Sequence, residues 1–156
     1  LLLGSTYTYE DVCRLLDWDR NITSINIGGY FYDEKTQTFP IFINYEKQAG
    51  AIAYADRFIS PAELISLSKV NRQIDSQDAQ RMTQKGQYAS IRILLFVRRS
   101  KDDDEAKAFY FLGAMHAAAA PQPVRLVNGQ SAFEMHWRLE TPVEEGLYEY
   151  LTGRRG

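Results

Sequence analysis

Histidine and cysteine are nearly missing from this chain: two histidines, His116 and His136, and one cysteine, Cys13, in 156 residues. A lone cysteine excludes an internal disulfide framework and fits a reducing compartment, so a cytoplasmic setting is expected. Three such residues without ligand spacing form no recognisable zinc motif, and surface or structural roles are expected for both histidines. No cofactor or metal is implied. No apolar run approaches the ~20 residues that a membrane-spanning helix needs. Leu1–Leu3 is too short for a signal peptide and has no basic residues before it. The chain lacks a Walker A loop, helicase motifs, the His-x-Lys signature of phospholipase-D-like nucleases and a nucleophile elbow. It also lacks an initiator methionine, and reads as an excised piece of a longer protein.

What is present is enough for one ordered domain over residues 1–156. Hydrophobic residues make up 45% and aromatics 13%, which suits a globule with a real core. Charge is unevenly placed. Residues 69–101 carry eight Lys/Arg (Lys69, Arg72, Arg81, Lys85, Arg92, Arg98, Arg99, Lys101) against Asp75 and Asp78, a balance of +6. Residues 1–68 and 102–156 each hold five basic and nine acidic residues, −4 apiece. Such a chain can turn one positive face to a polyanion while the rest stays soluble; the alternative is a solvated Lys/Arg-rich surface.

Periodicity predicts an α+β fold, a bent antiparallel or mixed sheet or partly open β-barrel with flanking helices. A helix is expected over Tyr9–Asp17, capped by Thr8 with Asp11 three residues on, burying Val12, Cys13, Leu15 and Leu16. A hairpin should join Tyr30–Asp33 to Phe39–Tyr45, and Pro40 makes the second strand an edge or a bulge. Ser60-Pro61-Ala62-Glu63 reads as a helix start continuing through Leu67, and a shorter helix is expected from Ser76. Strands are expected at Ile91–Val97 and Phe109–Met115, with the acidic Asp102–Glu105 as a turn between them. Val124–Val127 and Ala132–Leu139 should form a hairpin through a type I′ Asn128-Gly129 turn. Phe133, Met135, Trp137 and Leu139 should share one face, Glu134, His136 and Arg138 the other. A last helix is expected over Val143–Leu151.

Several strings carry a resemblance. They are Tyr7-Thr8-Tyr9-Glu10-Asp11-Val12, Ile27-Gly28-Gly29-Tyr30, Phe39-Pro40-Ile41-Phe42-Ile43-Asn44-Tyr45-Glu46-Lys47, Tyr54-Ala55-Asp56-Arg57-Phe58-Ile59, Leu94-Leu95-Phe96-Val97-Arg98, Phe109-Tyr110-Phe111-Leu112-Gly113 and Trp137-Arg138-Leu139-Glu140-Thr141-Pro142-Val143. Together they resemble a bacterial domain family of unknown function found at the C-terminal end of DEAD/DEAH-type superfamily-two helicases, often with an N-terminal phospholipase-D-like nuclease domain. The resemblance implies a restriction or phage-defence setting, with helicase and nuclease domains of the same parent chain as partners. It assigns no chemistry. At Ser66–Arg72 the chain departs from the Trp-containing pattern of similar sequences, so no stacking aromatic is assigned there.

Candidate sites follow from residue chemistry. Arg98 and Arg99 leave the longest strand beside the basic segment, where guanidinium groups can grip phosphate. Lys69 and Arg72 belong to that segment, and Lys47 follows the strand at Tyr45. His136 and Arg138 project together from a hairpin, with cross-strand ion pairs to Glu134 or Glu140 as the alternative. Tyr110, opposite in phase to Phe109 and Phe111, suits a pocket or surface. Tyr30, Tyr32, Tyr45, Tyr54 and Trp137 could stack bases, but core filling is expected for most, Tyr45 and Trp137 included. Two acid-x-Lys triplets, Asp33-Glu34-Lys35 and Glu105-Ala106-Lys107, fall in predicted turns, which disfavours a metal-dependent nuclease. The expected function is a non-catalytic DNA-binding module of a restriction- or defence-type helicase-nuclease, reading modified DNA. The alternatives are a protein-interaction or autoinhibitory domain docking on the helicase core, and a metal-dependent nuclease.

Overall fold

The computed structural model describes residues 1–16, 29–45, 56–99 and 108–153. Its order is β1 (Thr6–Tyr7), α1 (Tyr9–Leu15), β2 (Thr38–Asn44), β3 (Arg57–Ser60), β4 (Glu63–Leu67), α2 (Gln77–Met82), a 3-10 turn (Gly86–Tyr88), β5 (Arg92–Arg98), β6 (Phe109–Ala117), β7 (Gln122–Arg125), β8 (Ser131–Leu139) and α3 (Glu145–Thr152). The eight strands form one open mixed sheet in the order β2-β5-β6-β8-β4-β3, with β1 added to β6 and β7 to β8. The fold is α+β, as the sequence predicts.

The bend lies in β6. Its first half pairs with β5 and its second half, Met115–Ala117, with β8. A register shift at Leu95/Phe96 and a positive φ of 95° at Gly113 accompany the change of partner. A Cβ at Gly113 would come within 2.8 Å of Leu3 Cδ2, so glycine there serves both backbone and packing.

Two cores result. Phe39, Ile41, Ile43, Ile93, Leu95 and Val97 face the main core with Phe133, Met135 and Trp137. Phe42, Leu94, Phe96, Phe109 and Phe111 face the opposite way, under Val12, Cys13 and Leu16 from α1. Both faces of β2 and β5 are thus covered, and they pair in parallel, which explains why their sequences run apolar without alternation. Trp137 is fully buried and its Nε1 donates to Ser66 Oγ at 2.8 Å.

Local expectations held where neighbours decide them. Thr8 and Asp11 form the reciprocal capping box of α1. Ser76 precedes α2. β8 buries Phe133, Met135, Trp137 and Leu139 on one face. Others are corrected. Ser60-Pro61-Ala62-Glu63 is no helix start but the turn of the β3–β4 hairpin, with Ser60 paired to Glu63. Ser60 Oγ accepts from the Ala62 amide, Leu64 and Ser66 point inward at a period of two, and β4 pairs with β8 along its whole length. Burial beside Trp137 outweighs a four-residue capping pattern. The Asn128-Gly129 turn is not type I′, because only Gly129 has positive φ. Leu126 N donates to Gln130 O and Gly129 N to Leu126 O, a three-residue loop closed by a left-handed glycine. The expected Tyr30–Asp33 strand is reduced to two bridges, Tyr30 to Ile41 and Asp33 to Thr38. Leu15, expected in the α1 stripe, is exposed. Asp17 and the Asp102–Glu105 turn lie outside the described residues.

Candidate nucleic-acid interface

The basic segment begins where β4 ends. Ser68 continues the pairing with β8 through its amide to Phe133 O, and its hydroxyl accepts from the Phe133 amide. Asn71, at a φ of 60°, then turns the chain and donates its amide to Ser131 O. That turn brings Lys69 and Arg72 over the bridged segment at Tyr30–Asp33, and α2 closes the third side. The three elements border an open cleft of about 550 Å³ whose lining includes Tyr30, Tyr32, Phe39, Lys69, Arg72, Asp78 and Arg81.

Tyr30 is the fastener. Its hydroxyl donates to Asp78 Oδ2 from 48 residues away and accepts from the Lys69 amide at 3.1 Å. Asp78 also pairs with Arg72, Nε to Oδ2 at 3.2 Å. Burial, then the hydrogen bond to Asp78, hold the Tyr30 phenol well above its ordinary pKa of 10.0. The Lys69 ammonium stands 4.6 Å from the Tyr30 ring centroid. Partial burial and the nearby Arg72 lower its pKa, against the pull of Asp78. The Arg81 guanidinium lies 4.2 Å from the Tyr32 ring centroid and 5.7 Å from that of Tyr88. Arg81 Nε is buried with no hydrogen-bond partner among the described residues. Among the described residues the lining therefore holds three cations and one carboxylate, and that carboxylate already binds a phenol and a guanidinium. Such a wall can hold acceptor oxygens beside aromatic rings.

The other sequence candidates do not converge here. Arg98 and Arg99 sit at the far end of β5. Asn44, paired with Arg98, is five residues along β2 from Phe39, about 16 Å at the rise of a strand. Arg98 Nε donates to Asn44 Oδ1 and its guanidinium lies 4.4 Å from the Phe109 ring centroid. Arg99 lies 5.5 Å from the Tyr150 ring centroid, and Tyr110 packs edge-on against the same Tyr150. His136 and Arg138 share Glu63, with Nε2 at 2.9 Å from Oε2 and Nη2 at 3.2 Å from Oε1, while Arg57 pairs with Glu134 at 3.2 Å. These are cross-strand ion pairs, though the partner of His136 and Arg138 is Glu63 and not Glu134 or Glu140. His116 bridges Glu140 at 2.6 Å and Gln84 at 3.0 Å. Tyr45 and Trp137 pack with the main core. Lys47, Tyr54 and the Glu105-Ala106-Lys107 triplet lie outside the described residues. In the other triplet, the Asp33 carboxylate accepts from the Thr36 amide at 2.9 Å and ties its own turn. Among the described residues no three His, Cys, Asp or Glu side chains gather as a metal site would require, and no helix is long and apolar enough to cross a membrane.

Sequence reasoning found Lys69 and Arg72 but missed Asp78 and Arg81. The latter two sit at i and i+3 on a six-residue helix and share one face, the single signal that could have paired them.

Comparison with known proteins agrees with the fold. Residues 1–151 match the family described as a domain of unknown function, DUF3427, and the chain belongs to that family. No curated protein sequence matches it. Among solved structures it is similar to the SRA domain of SUVH5 in complex with methylated CHH DNA, at a TM-score of 0.56 and 12% identity, covering 93% of this chain and 92% of that one. The same domain with fully methylated CG DNA matches equally. The DNA modification-dependent restriction endonuclease AspBHI matches at a TM-score of 0.57 and 12% identity, over 100% of this chain and 46% of that one.

Proposed function

We propose that this member of the DUF3427 family is a DNA-binding module that reads modified DNA, taking an extrahelical base into the Tyr30–Arg81 cleft and performing no chemistry itself. One observation carries the reading: three cations and two tyrosines converge on a single cleft that holds one carboxylate. Lys69 and Arg72 at its rim suit the phosphates that flank a displaced nucleotide, and the interior suits its base. The likeness to SRA domains crystallised with methylated DNA, and to a modification-dependent restriction endonuclease, supports the reading at the level of fold. In its parent chain the module would bring a restriction-type helicase and nuclease to their DNA in the cytoplasm.

The test is a binding titration of the chain with otherwise identical duplexes, unmodified or carrying one modified cytosine, at several salt concentrations. The reading expects modified duplexes to bind more tightly, with a log–log salt slope of about −0.9 per phosphate contacted. Absence of DNA affinity at low salt, together with binding to the helicase portion, would replace it by the docking-domain alternative. Mg²⁺-dependent nicking by the chain alone would replace it by the nuclease.

A further inference from the structure

Resting on the cleft as the base-accepting site, we infer that the modification it selects carries hydrogen-bond-acceptor oxygens, as a carboxyl, hydroxymethyl or sugar-bearing base does, and is not a bare methyl group. Size is the first reason. The open cleft offers about 550 Å³, several times the volume of a pyrimidine. A methyl group leaves most of that space to water; a bulky polar substituent fills it.

Donor accounting is the second reason. Asp78, the only carboxylate of the lining among the described residues, is already engaged by the Tyr30 hydroxyl and Arg72. Lys69 makes no ion pair among the described residues; its ammonium stands over the Tyr30 ring, near enough to Asp78 and Arg72 to feel both. Arg81 Nε is buried without a hydrogen-bond partner among the described residues, and an unmet buried donor is a standing penalty that an acceptor removes. A methyl group offers nothing to either cation. Among the described residues the apolar wall that would select a methyl is small: Phe39 is 1% exposed, and Phe31 packs against the second core.

The resting place of Arg81 links donor to aromatic. Its guanidinium covers the Tyr32 ring, where a flat base would stack. Swinging Arg81 off that ring toward an acceptor bares the tyrosine face and gives Nε a partner in one movement. Arg81 thereby determines specificity: an acceptor on the base draws it away, and a methyl does not.

The experiment uses the chain with five duplexes that differ at one cytosine: unmodified, 5-methyl, 5-hydroxymethyl, glucosylated 5-hydroxymethyl and 5-carboxyl. We expect the glucosylated and carboxyl duplexes to bind at least about 10-fold more tightly than the 5-methyl duplex, the difference made by one charge-assisted hydrogen bond. In Arg81→Gln that ratio should fall toward one; Lys69→Gln serves as the second variant if Arg81→Gln lowers the melting temperature. Tightest binding of 5-methyl overturns this inference and leaves the reading of modified bases intact. Equal binding of all five overturns both and leaves DNA affinity alone; if Arg81→Gln then weakens all five alike, its acceptor is a backbone phosphate. No binding of any duplex overturns every step.

Discussion

Two charged regions of this molecule contain nearly the same residue types and do opposite things with them. On the outward face of β3, β4 and β8, Arg57 meets Glu134, while Arg138 and His136 meet Glu63. Each of the two arginines has a carboxylate, and His136 shares Glu63 with Arg138. In the cleft, Lys69, Arg72 and Arg81 line the same wall as Asp78, whose carboxylate is taken by Arg72 and Tyr30. Charge along the sequence already hints at the split, since the cleft cations lie in the +6 segment and the paired residues in the acidic flanks. What separates them is the number of opposing carboxylates within reach, and that is a property of strand pairing and loop placement. Paired surface charges contribute little to stability and have little to offer a ligand, whereas crowded cations are poised to meet an anion.

The comparison can be broken most severely by removing charge from each region in turn. Lys69→Gln with Arg72→Gln should weaken DNA binding about 100-fold, as expected for two lost charged contacts, measured by fluorescence anisotropy at fixed salt. Next in size, Tyr30→Phe should destabilise the fold by about 1–2 kcal/mol, because a buried hydroxyl leaves the Lys69 amide and Asp78 without their partner; urea unfolding reads this directly. Stability above pH 10 sharpens the same point. The Tyr30 phenol titrates higher in the folded chain than its ordinary 10.0. Its contribution is therefore complete below about pH 10 and is lost as pH rises toward the folded pKa. Tyr30→Phe should lose less stability than wild type between pH 9 and pH 11, and equal losses would detach Tyr30 from the cleft's electrostatics. The smallest effect belongs to the paired face. Arg57→Gln with Arg138→Gln should change DNA affinity by less than about two-fold and stability by about 0.5 kcal/mol.

Legibility in the sequence followed the range of the interaction. Thr8 with Asp11, and the alternation from Phe133 to Leu139, are decided within a few residues, and the structure has both. The open α+β sheet followed from summing such segments. Ser60–Glu63 misled because Ser, Pro and Glu serve a helix start and a tight turn alike; the choice was made by Trp137, across the sheet from Leu64. The cleft was half legible. Lys69 and Arg72 stand out as charges, and Tyr30 as one aromatic among many. The contact that makes a site of them, Tyr30 to Asp78, spans 48 residues, and no periodicity announces it. Arg98 and Arg99 drew attention by adjacency to the basic segment, yet the strand carries them to the far end of the sheet, against Asn44, Phe109 and Tyr150.

The central claim, that DNA enters the cleft and not the paired face, is tested most directly by an NMR titration of the isotopically labelled chain with a duplex carrying one modified cytosine. The account predicts that the largest amide shifts cluster in residues 30–33, 69–72 and 77–82, and that the Arg81 Nε–Hε signal moves. Shifts concentrated in residues 57–63 and 134–138, with the Arg81 signal unmoved, would contradict it.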